Sequence, residues 1–97
     1  MPTVLKIGSI IFFFTSYDYY EPIHIHVVDG RKECKYWLGE DGIVVLADNS
    51  GFSKAELLKL RKIVLENFEL IKKTWYEHCK NTDTKEYKKK YFRYTVY

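Results

Sequence analysis

Ninety-seven residues suffice for one domain around one core and leave no room for a second independent unit. With 46% hydrophobic residues, nine Tyr, six Phe and two Trp, wholesale disorder is excluded, and no wholly apolar run exceeds the length of Ile10 to Phe14, too short to cross a bilayer as a helix. The formal net charge of +3 hides an asymmetry: residues 1 to 50 carry four basic and seven acidic side chains, and residues 51 to 97 carry twelve and six.

Thr3 to Ile7 and Ile10 to Thr15 are rich in β-branched and aromatic residues and flank Gly8-Ser9, which suits a type II′ hairpin turn. Ser16 to Pro22 reads as a loop, since Pro22 lacks an amide donor and biases Glu21 away from the helical region. Ile23 to Val28 is the third strand, Asp29-Gly30 a type I′ turn, and Arg31 to Leu38 the fourth strand. Gly39 to Gly42 turns the chain again. Ile43 to Ala47 is apolar at every position, the pattern of a strand covered on both faces, and therefore predicts a central strand.

Asp48 to Phe52 breaks that pattern, and Ser53-Lys54-Ala55-Glu56 matches a capping box opening a long helix. Leu57, Leu60, Val64, Phe68, Ile71, Trp75 and Cys79 recur at spacings of three and four, forming one apolar stripe to lay on the sheet. By helical angle, Leu58, Leu65 and Tyr76 widen the stripe on one flank, while Ile63 and Leu70 project away from it. Asn81 to Thr84 closes the helix. The segment after it mixes helical spacing (Tyr87, Tyr91, Tyr94) with a β period and reads as a short helix followed by an extended end.

The N-terminus lacks the basic start and apolar stretch of a secretory signal, so the chain is read as cytoplasmic, with no membrane contact. Cys34 and Cys79 are then thiols, most simply small buried side chains. No phosphate loop, Cys-x-x-Cys pair or Ser-centred nucleophile motif is present, and no cofactor is implied.

The chemistry concentrates at Glu21 to Val27, where His24 and His26 stand two apart on a strand and share a face. A two-residue turn at Asp29-Gly30 pairs Val28 with Arg31, His26 with Glu33 and His24 with Lys35, with Trp37 at the far end of the row. Ile23, Ile25, Val27, Cys34, Tyr36 and Leu38 take the opposite, mostly apolar face. Three readings of the patch stay open. In ribonuclease-type chemistry the two imidazoles act as base and acid while Lys35 and Arg31 neutralise the phosphate. In a metal site His24 and His26 ligate zinc with Glu21, Glu33 or His78, although Lys35 would repel the ion. In a structural role the imidazoles hydrogen-bond Glu33 and loop backbone and pack on Trp37.

The end of the chain is basic and aromatic: residues 80 to 97 hold six basic and two acidic groups. Lys88, Lys89, Lys90, Tyr91, Arg93 and Tyr94 are candidates for partner or nucleic-acid contact, with protein contact ranked first.

Several motifs together carry a family resemblance: residues 1 to 8, Phe12 to Phe14, Glu21 to Val27, Cys34 to Leu38 and Asn49 to Leu57. In order and spacing the chain resembles, over residues 1 to about 80, the small bacterial proteins grouped as domain of unknown function 4160. The resemblance implies a compact α+β domain with the His-x-His strand and the strand holding Lys35, Trp37 and Leu38 as shared elements. It brings no activity. It also implies a place in a small two-gene cassette of toxin–antitoxin type. Two departures stand out: Pro22-Ile23 replaces the family's Pro-Pro, and Tyr17, Tyr19 and Tyr20 occupy a loop where small polar residues are commoner.

The expected architecture is α+β: a mostly antiparallel sheet of about five strands packed by one long helix, as a single domain over residues 1–80 with a basic Tyr-rich extension over 81–97. The expected function is a component of a toxin–antitoxin-like pair that contacts a small cognate protein, or self-associates through the long helix, and contacts RNA. His24, His26, Glu33 and Lys35 are the candidate catalytic patch, and Arg31 and Trp37 flank it as binding residues. The alternative is a non-catalytic interaction module with structural histidines.

Overall fold

The structure is a computed structural model and describes residues 3–15 and 22–81. Among these residues five strands run in chain order as an antiparallel meander: β1 (Thr3–Ile7), β2 (Ile10–Phe13), β3 (His24–Asp29), β4 (Lys32–Leu38) and β5 (Val44–Ser50). Two helices follow, α1 (Lys54–Glu66) and α2 (Phe68–Asn81).

The first hairpin turns at Gly8-Ser9 as expected: Ile7 pairs with Ile10, and Gly8 adopts φ 60°, which costs a glycine little. The second turn falls one residue later than expected. Asp29 pairs with Lys32, so the loop residues are Gly30 and Arg31, and Gly30 takes the left-handed conformation at φ 62°. Glycine in the first loop position removes any need for Asp29 to adopt a positive φ, so Asp29 stays in the ladder.

The core lies on one face of the sheet. Phe12, Ile25, Val27, Cys34, Tyr36, Leu38 and Val44 pack there against Leu60 and Val64 of α1 and Ile71 and Trp75 of α2. Tyr36 fixes the helix to the sheet, its hydroxyl donating to the Leu57 carbonyl at 2.7 Å.

Two expectations about this core require correction. Among the described residues β5 is an edge strand, paired with β4 alone, and Ile43, Val45 and Leu46 are exposed at 56%, 52% and 40%. A run of apolar residues does not reveal its place in the strand order, and here the meander delivers it last, at the margin. The single long helix is two helices. Asn67 adopts φ −111°, ψ 19°, and its side-chain amide donates to the Ile63 carbonyl at 2.8 Å, the same acceptor its backbone N–H uses at 3.1 Å. Such local competition from Asn deforms the helical ladder. The chain nonetheless continues without a loop, since Ile71 N–H donates to Asn67 O at 2.9 Å.

The apolar stripe survives the bend, with Leu60, Val64, Ile71 and Trp75 buried. Its centre is rotated toward Leu60 and Ile71. Ile63 therefore packs against the core cluster, whereas Leu58, Leu65 and Tyr76, expected to widen the stripe, lie on the exposed side with Leu70. Among the described residues no helix is long and apolar enough to cross a membrane.

Candidate functional site

The face of the sheet opposite the core carries the polar residues, and the ladder sets their neighbours. β3 and β4 pair His24 with Trp37, His26 with Lys35 and Val28 with Glu33. The expected pairs, His24 with Lys35 and His26 with Glu33, are thus displaced by two residues because the turn falls at Gly30-Arg31. A slip of two keeps every side chain on its expected face, where a slip of one would have inverted them all.

The two histidines share that face but not one environment. His24, at the start of β3, is fully buried. Its ring lies 5.0 Å from that of His26, 5.3 Å from Trp37 and 5.2 Å from Trp75 of α2, centroid to centroid. Its Nδ1 lies 2.8 Å from the Pro22 carbonyl oxygen, an atom that only accepts, so Nδ1 carries a proton. His26 is half-buried and stacks on Phe13 at 5.3 Å with 22° between the rings.

Beside His26 a cavity of about 310 Å³ opens, lined by His26, Glu33, Cys34, Lys35, Asp48 and Ser50. Cys34 turns its side chain into the core, leaving one imidazole, one ammonium, two carboxylates and a hydroxyl as the polar set. Lys35 Nζ lies over the Trp37 ring at 4.3 Å from its centroid, an arrangement favourable to a cation. His26, Glu33 and Lys35 are therefore brought together, while His24 sits behind them. Trp37 contacts both Lys35 and His24, and Arg31 occupies the exposed hairpin loop away from the cavity lining.

Lys88, Lys89, Lys90, Tyr91, Arg93 and Tyr94, and the Tyr-rich loop residues Tyr17, Tyr19 and Tyr20, lie outside the described residues. His78, considered as a metal ligand, belongs to a different cluster: its Nε2 donates to the Thr15 carbonyl at 3.0 Å and its ring stacks on Phe14. Among the described residues no group of three His, Cys, Asp or Glu side chains is placed to hold a metal ion.

Asp48 and Ser50 are the site residues that the sequence reading missed. The sequence pattern sets them in a break after the fifth strand, whereas β5 continues through Ser50. Strict alternation from Val44 and Leu46 would place Asp48 on the core face, so no periodic signal pointed to the cavity. The register shift between Lys35 and Tyr36 changes its side.

The fold and the site define a class: a small antiparallel meander, backed on one face by two helices, with a polar cavity on the other. Within that class the family is shown by its sequence model, which matches residues 9–76, and the chain belongs to the family described as Domain of unknown function (DUF4160). Neither a curated protein nor a solved structure matches the chain.

Proposed function

We propose that this protein is a component of a toxin–antitoxin-type pair whose working site is the outer-face cavity, acting on RNA by ribonuclease-type acid–base chemistry. The observation that carries this reading is the convergence of His26, Lys35 and two carboxylates in one cavity of the polar face of the sheet. His26 acts as general acid, Lys35 neutralises charge developing on the phosphate, and a carboxylate of the cavity takes the place in the acid–base pair expected of His24. The ribose 2′-hydroxyl is the nucleophile, so the substrate carries its own attacking group.

The second reading is a non-catalytic interaction module for a small cognate protein. Two observations favour it: His24 is fully buried among aromatic rings, and carboxylates outnumber Lys35 in the cavity. One pair of variants separates the readings. On the first, His26→Ala and Lys35→Ala each slow cleavage of a labelled oligoribonucleotide by at least about 100-fold and relieve growth arrest on expression, while circular dichroism stays native. Unchanged growth effects with no cleavage by the native protein would establish the second.

A further inference from the structure

We propose that Asp48 is the general base of the outer-face site, delivered there by a β-bulge at Ala47. The inference rests on the acid–base reading above and names the group that reading leaves open.

Val44, Val45 and Leu46 of β5 oppose Leu38, Trp37 and Tyr36 of β4. The same register continued would set Ala47 opposite Lys35 and Asp48 opposite Cys34, whose side chain is in the core. Instead one extra residue is accommodated, so that Asp48 opposes Lys35 and Ser50 opposes Glu33. The bulge therefore moves a carboxylate and a hydroxyl from the core face to the cavity. Re-aiming side chains in this way is a recurring use of bulges beside functional sites.

The outcome is an ordered row. His26 opposes Lys35 from β3, and Asp48 opposes it from β5. Imidazole, ammonium and carboxylate thus occupy three neighbouring strands, with the outer two separated by about 10 Å of backbone, twice the usual strand spacing. In-line displacement at phosphorus needs its base and acid on opposite sides of the phosphoryl group, with positive charge between them. Glu33 stands one row away, opposite Val28 and Ser50, and does not flank Lys35 in this manner. Asp48 is also held in place: its Oδ1 accepts the Asn49 N–H at 2.9 Å, which leaves Oδ2 to take a proton.

In the step assigned here, Asp48 Oδ2 takes the proton of a ribose 2′-hydroxyl as that oxygen bonds to phosphorus. The bond from phosphorus to the 5′-oxygen breaks with its electron pair, and that oxygen receives a proton from the His26 imidazolium. The products are a 2′,3′-cyclic phosphate and a free 5′-hydroxyl, and no co-reactant is consumed.

The test uses the full chain, a chimeric oligoribonucleotide with one scissile phosphate, and the same strand carrying sulfur in place of the bridging 5′-oxygen. Sulfur leaves without protonation, so it relieves the loss of an acid but not of a base. Asp48→Asn and His26→Ala each slow cleavage of the oxygen substrate by about 10²–10⁴-fold. The sulfur substrate restores His26→Ala to within about tenfold of the native protein and leaves Asp48→Asn impaired. Asp48→Asn at the native rate, with His26→Ala inactive, overturns the role of Asp48 and spares the acid–base reading. An un-rescued loss in Glu33→Gln alone does the same by giving the base to Glu33. No cleavage by the native protein, or none lost in His26→Ala, removes the reading and this role together. Asp48 is exposed, and matching thermal transitions for Asp48→Asn and the native protein exclude unfolding as the cause.

Discussion

Cys34 and Tyr36 stand two residues apart on the core face of β4, and burial governs the chemistry of both. The Cys34 thiol is pushed up to about 12 by desolvation, with the Glu33 carboxylate adding to the effect. Without thiolate there is no nucleophile. The peptide carrying Cys34 should remain unalkylated when the folded protein is treated with iodoacetamide at pH 8 and become fully labelled once urea unfolds it, as read by mass spectrometry. Burial likewise pushes the Tyr36 hydroxyl up to about 12, so at neutral pH it keeps its proton and donates to the Leu57 carbonyl. Tyr36→Phe should lower the unfolding free energy by about 1 kcal/mol with an unchanged dependence on urea concentration, the typical net worth of one such bond. The alternation of apolar residues along Arg31 to Leu38 made the core face of this strand legible. The deeper burial of His24 than of His26 was not legible, because His24 packs against Trp75, 51 residues further along the chain.

Between elements, an ion pair joins β4 to α1. Ser53 and Glu56 complete the expected capping box: Glu56 N–H donates to Ser53 Oγ at 3.2 Å, and Ser53 N–H donates to Glu56 Oε1 at 2.9 Å. The other Glu56 oxygen accepts from Lys32 Nζ at 2.6 Å, which ties the helix start to the strand. The Lys32 bond first, and then the Ser53 backbone bond, lower the Glu56 carboxyl from 4.5 to about 2. A folded-state value below the unfolded one stabilises fully above about pH 4.5, and the contribution fades as the pH falls through about 2. Glu56→Gln retains the capping geometry and loses the charge. It should melt below the native protein at pH 7, and the gap should close progressively between pH 4.5 and 2 in thermal scans. The capping box was visible in sequence because it is local, spanning four residues. The bend at Asn67 was not, because apolar spacing runs through it unbroken and the competing bond is made by one amide side chain.

At the scale of the molecule, strand order determines which residues meet water. β5 lies at the edge of the sheet, and Val45 is 52% exposed on the outer face. Val45→Lys should change the unfolding free energy by less than about 0.5 kcal/mol in urea titration, as for an ordinary surface position. In a central strand covered on both faces the same change would bury an unpaired ammonium and cost several kcal/mol. An edge strand bearing apolar side chains is a template for association, so the same variant should reduce any concentration-dependent association measured by light scattering.

The sequence by itself determined what depends on neighbours along the chain: β1 with its glycine turn, the alternating faces of β3 and β4, the capped start of α1 and the apolar stripe continued into α2. Period and local hydrogen bonding are short-ranged, so a few consecutive residues suffice to specify them. Only the tertiary structure decided the register of β3 on β4, the margin position of β5, the burial of His24 and the arrival of Asp48 beside Lys35. Each of these depends on how segments distant in sequence align, and there a single residue, Gly30 in a turn or Ala47 in a bulge, sets which side chains stand opposite one another.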